Sequence, residues 1–213
     1  MCNPILRTMG PVEWAFLILL AAIWGGSFFF FAIAVKALPV FTIVWLRVAI
    51  ATSALWLVVL ASGIGFPRDK NLWRNFLIMG LLNNAIPFSL VVYGQTAIAS
   101  GLAAVLNGTM PFFAVLAANV FTRDEKLSAN KLGGAIVGLA GVAAMIGIDA
   151  VSSLGQAIWP QVAVVAAGLS YALGSIFGRR FGSQPPLLTA AGQTTGSALL
   201  IFPVMLVIDH PWT

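Results

Sequence analysis

Two adjacent amides, Asn83 and Asn84, sit in the otherwise apolar stretch GLLNNAIPF, residues 80–88, with Pro87 three positions on from Asn84. Steps of three or four residues stay on one helix face. Gly80, Asn84, Pro87, Val91 and Gln95 therefore form one stripe, with Asn84 and Gln95 about three turns apart. Pro87 removes a backbone donor and frees the carbonyl of Asn83. Ser100, Asn107 and Pro111 repeat the pattern at spacings of seven and four. Trp24, Ser27 and Phe31 share a third face, beside Gly25 and Gly26, and Arg47 is the one strong charge within an apolar run. Ser170, Tyr171 and Gln193 occupy corresponding places later in the chain. Groups of these types make and break no bonds by themselves. Together they can hold a small, partly polar solute by hydrogen bonding, charge and stacking.

Each set also has a packing reading. Asparagines glue helices together in lipid, and a proline beside an amide can be a structural kink. The Gly25–Gly26 pair and the stripe Gly134, Gly138 and Gly141 read as close-packing surfaces. Arg47 lies about two turns from a segment end, where an arginine stem can snorkel to headgroups, or it can bind a substrate carboxylate. Intramembrane ionisable residues are functional candidates.

Catalytic machinery is not visible. There is no phosphate-binding Gly-x-x-x-x-Gly-Lys-Ser/Thr loop and no Gly-x-Ser-x-Gly elbow. His210 and Cys2 stand alone at opposite ends, so the sequence implies no metal cluster, no internal disulfide and no cofactor. The six acidic residues, Glu13, Asp69, Asp124, Glu125, Asp149 and Asp209, fall at segment ends or in loops, and Glu125 is expected to pair with Arg123 or Lys126 or to brace a loop. The net charge of +5 is scattered through short loops rather than gathered in a basic stripe, which argues against nucleic acid.

The positioning elements follow from composition. Of 213 residues, 60% are hydrophobic and 8% charged, with a mean hydropathy of +1.00. Soluble domains carry roughly 25% charged residues, so the bilayer is the expected solvent. Seven segments are each long enough to cross it as helices: 13–35, 41–62, 75–93, 97–121, 132–148, 160–178 and 187–208. Arg7, Arg68, Lys70, Arg74, Arg123, Lys126, Lys131, Arg179 and Arg180 then fall on one side, and Lys36 alone on the other. The positive-inside rule places the N-terminus in the cytoplasm. Seven crossings leave the C-terminus outside, just after a helix, and the sequence is expected to be incomplete there.

A shift of 145 residues lays Trp14 on Trp159 and Ala21–Ala22 on Ala166–Ala167. The two copies begin on opposite sides, as an inverted repeat does. Four stretches carry a resemblance: AAIWGGSFFF (21–30), WLRVAIA (45–51), YGQTAIASGLAAVLNGTMPFFAVLAANVF (93–121) and DEKLSANKLGGAIVGLAGV (124–142). The sequence resembles the EamA-like branch of the drug/metabolite transporter superfamily. That resemblance implies an all-α polytopic membrane bundle of two inverted five-helix repeats, one at 12–148 and an incomplete one at 158–213, with about seven of ten helices present. It places the Trp24–Gly25–Gly26 turn beside a central cavity. It implies a permease or exporter of small metabolites, such as amino acids or related amphiphilic compounds, working by alternating access in the cell (inner) membrane. The expected partners are a small-molecule substrate and the bilayer, with a homodimer left open. The rival expectation is a truncated, non-transporting membrane protein that needs a partner or further helices. An intramembrane enzyme would need a carboxylate, histidine or metal set at depth, which the sequence does not show, and nothing in it argues for the oligomer symmetry from which a channel usually gains its pore.

Overall fold

In a computed structural model, residues 10–121, 129–146 and 157–212 are described, and among them every regular element is helical. Helix α1 is Pro11–Ala34, α2 Val40–Ala61, α3 Lys70–Gly80, α4 Ile86–Gly94, α5 Ser100–Asn107, α6 Met110–Phe121, α7 Ala129–Ile146, α8 Ile158–Gly178 and α9 Pro186–Ile208. A π-turn, Leu81–Ala85, joins α3 to α4 as one continuous rod. Among the described residues, six spans are long and apolar enough to cross a membrane: Pro11–Ala34, Val40–Ala61, Lys70–Gly94, Ser100–Phe121, Ile158–Phe181 and Pro186–Ile208. The protein is therefore a multi-pass membrane protein. The fifth expected segment coincides with α7, an 18-residue helix that is not one of these six. Arg7, Arg123, Glu125 and Lys126 lie outside the described residues.

Helix boundaries follow local chemistry. Pro11 opens α1, where its missing N–H costs nothing. The Asp69 carboxylate caps α3 by accepting from the Asn71 N–H at 2.9 Å. Pro111 cannot donate to the carbonyl four residues back, and the fourth span is interrupted just before it, at Gly108–Thr109. There the Thr109 hydroxyl donates to the Leu106 carbonyl at 2.6 Å.

Contacts between spans fix their relative directions. Thr42 meets Asp209 and Trp56 meets Thr195, which sets α2 antiparallel to α9 in a constant register. Leu82 meets Ser170 and Gly94 meets Val164, which sets the α3–α4 rod antiparallel to α8. The rod runs parallel to α9, because Phe76 lies on Gly192 and Gly196 while Asn84 meets Ser197.

Lipid is as apolar as leucine, so close packing and interhelical hydrogen bonds hold such helices together. The seam between α3 and α9 is glycine-lined: a Cβ on Gly80 would lie 2.5 Å from the Gln193 carbonyl oxygen, and one on Gly196 2.7 Å from that of Phe76. Two apolar cores form. One gathers Val44, Val91, Val92, Val164 and Ile201; the other gathers Val59, Phe76, Met79, Phe181 and Leu188. At the second, Trp56, Phe66 and Trp73 stack with centroids 5.2 to 6.4 Å apart. Such aromatic groups mark membrane–water boundaries.

Two packing expectations are corrected. A Cβ on Gly25, Gly134, Gly138 or Gly141 would meet nothing within 4 Å, and one on Gly26 would reach only Phe30 of its own helix. Among the described residues, the small-residue stripe of α7 therefore meets no partner, although helix α7 touches α5 and α6.

Asp209 ties the far end of α9 to the start of α2. One of its carboxylate oxygens accepts from the Thr42 N–H at 2.6 Å and from the Thr42 hydroxyl at 2.8 Å. It works as a helix cap supplied from 167 residues away. Asp209→Ala is expected to lower stability by about 1 kcal/mol, or a melting-point loss of about 2–4 °C for a chain of this size. Thermal unfolding in detergent measures it. Thr42→Val, which keeps the backbone N–H bond, should cost less.

Candidate functional site

Between the two apolar cores, each of six spans contributes to one cavity. Its volume is about 300 Å³. Helix α1 supplies Trp24, Ser27, Phe28 and Phe31, and α2 supplies Arg47. Asn83, Asn84, Phe88 and Val91 come from the π-turn and α4, and Asn107 and Met110 flank the break in the fourth span. Helix α8 adds Tyr171 and α9 adds Gln193.

The π-turn answers why two amides stand in apolar surroundings. Pro87 cannot donate, and the backbone ahead of it widens so that the Ile86 N–H reaches the Leu81 carbonyl, five residues back. Hydroxyls serve the carbonyls around it. Ser170 donates to Leu82 and Ser89 to Ala85, both at 2.7 Å, and the Ser197 hydroxyl lies 3.0 Å from the Gly80 carbonyl and 2.8 Å from that of Gln193. Irregular backbone at membrane depth requires such partners. The widened turn sets Asn83 and Asn84 on the cavity wall together. The Asn83 amide nitrogen donates to the Gln193 side-chain oxygen at 3.3 Å, and that of Asn84 to Ser197 at 3.0 Å.

Arg47 lies between two rings. Its guanidinium carbon is 4.8 Å from the Phe31 centroid and 4.4 Å from that of Phe88, which meets Tyr171 edge-on at 6.4 Å. Among the described residues no carboxylate pairs with it, and no Asp or Glu lines the cavity. The Asn107 side-chain oxygen is buried without a hydrogen-bond partner among the described residues.

Of the residues singled out in the sequence, Trp24, Ser27, Arg47, Asn84, Asn107, Tyr171 and Gln193 line the cavity. Pro87, Gln95 and Pro111 do not. Pro87 is buried in the rod and shapes the π-turn, whereas Pro111 faces outward. Gln95 lies one turn past Val91, where its buried amide has no partner among the described residues. The sequence stripe holds Asn84 but not Asn83, and Phe28, Phe88 and Met110 also line the cavity without having stood out in the sequence. An aromatic or methionine in an apolar helix carries no signal of its own, but Phe88 lies four residues after Asn84 on the same face.

Residues 12–147 match the EamA-like transporter family. Among curated proteins, the chain is 25% identical over 157 residues to a Bacillus subtilis (strain 168) protein named uncharacterized transporter YoaV, covering 74% of this chain and 53% of that one. It is 27% identical over 160 residues to Protein PagO of Salmonella typhimurium, covering 73% and 51%. It is 25% identical over 194 residues to the uncharacterized inner membrane transporter YedA of Escherichia coli (strain K12), covering 90% and 61%. The chain thus spans 51–61% of the length of these relatives. No solved structure matches at a significant level. The family match extends over more than half of the chain, and the chain belongs to the EamA-like transporter family.

Proposed function

We propose that this chain forms the solute path of a membrane transporter, a permease or exporter of small metabolites such as amino acids or related amphiphilic compounds, without catalysis and without a cofactor. One observation carries the reading: six spans converge on a single cavity whose polar groups lie between apolar cores on either side. Polar residues at membrane depth are expensive and mark solute pathways. A volume of about 300 Å³ suits a small metabolite.

Movement is by alternating access, one inverted five-helix repeat rocking against the other. The weak points are on the wall itself. The π-turn and the break at Gly108–Thr109 both interrupt regular helix bonding beside cavity residues. The N-terminus lies in the cytoplasm and the membrane is the inner one. The first rests on the basic loops gathered on one side; the second rests on the relative named an inner membrane transporter.

A second reading has its own observation. Among the described residues α1 packs chiefly on α5, and Trp24 is 62% exposed although it lines the cavity. On that reading the chain is a membrane component that works only with a partner or further helices. Metabolite profiling inside and outside cells, with and without expression of the chain, separates the two. A transporter redistributes a defined small set of metabolites; a component that needs a partner redistributes none.

A further inference from the structure

Arg47 is a fixed charge in a cavity that, among the described residues, offers it no counter-ion. It lies seven residues inside α2, between Phe31 and Phe88, and the lining holds no Asp, Glu, Lys or His beside it. Ring faces stabilise a guanidinium through their quadrupole, but they neutralise nothing. An uncompensated cation in low dielectric attracts an anion and repels a second cation. The remaining lining adds hydrogen-bonding capacity without charge. With Asn83 and Gln193 bonded to each other, each amide keeps its second polar atom, one donor and one acceptor between them whichever way they are turned. Trp24, Phe28, Phe31, Phe88 and Val91 give the rest of the wall an apolar surface.

We infer that the cavity binds organic monoanions: a carboxylate seated on the Arg47 guanidinium and an apolar or aromatic body against the phenylalanines. This deepens the transporter reading and rests on the same cavity. Arginine presents a planar fork that matches a carboxylate through two parallel hydrogen bonds. A zwitterion of the same skeleton also brings an ammonium, which finds no carboxylate in the lining and lies near the guanidinium. A cation of that skeleton meets repulsion alone.

Three probes of one skeleton test this on the purified chain in nanodiscs: 3-phenylpropionate (anion), phenylalanine (zwitterion) and 3-phenylpropylamine (cation). Calorimetric titration should show the anion binding about tenfold or more tighter than the zwitterion, because both seat a carboxylate but only the zwitterion leaves an ammonium unpaired in the cavity, and the amine not binding. Arg47→Gln should remove the preference and Arg47→Lys keep its sign at lower affinity. The wild-type series is decisive even if the Arg47→Gln protein does not fold. Equal or tighter binding of phenylalanine or the amine overturns the anion assignment while leaving the cavity as a binding site. Binding of none of the three overturns it too. Metabolite profiling then says whether the transporter reading falls with it, which it does only if no metabolite is redistributed.

Discussion

Gly80→Val is expected to stop the bundle from assembling. The seam between α3 and α9 brings backbone against backbone: a Cβ at Gly80 would lie 2.5 Å from the Gln193 carbonyl oxygen, 2.7 Å from the Ser197 backbone nitrogen and 3.0 Å from the Ser197 hydroxyl. The first two are main-chain atoms of a continuous helix, and they cannot rotate away as a side chain does. Relief requires α9 to move, and α9 also holds α2 through Asp209 and Thr195. Overpacking a core costs about 1–3 kcal/mol where side chains can adjust; here the adjusting group is a whole helix, so the loss should exceed that range. The measurement is the yield of monodisperse protein after detergent extraction, with thermal unfolding of what is recovered. Gly80→Ala should fall between wild type and valine. Gly25→Val is the control, because a Cβ there meets nothing within 4 Å. A Gly80→Val protein that melts with the wild type would mean that the two helices do not approach as described.

The same pair of glycines shows where sequence stops being informative. Gly25 and Gly80 both stand in apolar helices, and nothing local distinguishes one that faces open space from one pressed against a carbonyl. Hydropathy sees one residue at a time against the solvent; contact depends on which helix arrives opposite. Spans were readable because lipid imposes one requirement on every helix, length with apolarity. The glycine stripe of α7 meets no partner among the described residues for the converse reason: a small-residue pattern permits a close approach without supplying the partner.

The cavity was legible wherever a polar group is costly. Asn84, Arg47, Asn107 and Gln193 stand out because lipid cannot satisfy them. The aromatic half of the lining was silent, since Phe28 and Phe88 suit lipid, core or ligand equally well. The rod that carries Asn84 departed from its stripe for a reason that Pro87 announces only in part. A missing donor says that a bond is lost. Whether the backbone kinks or widens depends on partners for the carbonyls within the turn, and Ser170, which serves that of Leu82, arrives 88 residues later. Because it widens, Asn83 joins Asn84 on the wall. Gln95, one turn beyond Val91, is buried but does not line the cavity.

On the proposed transporter reading, Asn84→Leu is expected to abolish transport while leaving the folded protein almost unchanged. Asn84 is only 6% exposed, and it both lines the cavity and donates to the Ser197 hydroxyl at 3.0 Å. Its adhesive role is small in energy, because interhelical hydrogen bonds in membranes average about 0.6 kcal/mol. Nor does its removal orphan the serine, whose hydroxyl still reaches the Gly80 and Gln193 carbonyls at 3.0 and 2.8 Å. Leucine keeps the branched skeleton of asparagine, and its greater bulk can extend into the adjoining cavity, so the lost bond of about 0.6 kcal/mol corresponds to a melting-point shift of about 1–3 °C. Ser197→Ala decides between glue and wall. It deletes the same bond from the other side, at a residue that is fully buried and does not line the cavity. If the amide serves the passing solute, Asn84→Leu stops metabolite redistribution and Ser197→Ala largely preserves it. If the two substitutions impair transport equally, the amide serves the bundle alone, and the polar wall loses the member on which the sequence first drew attention to it.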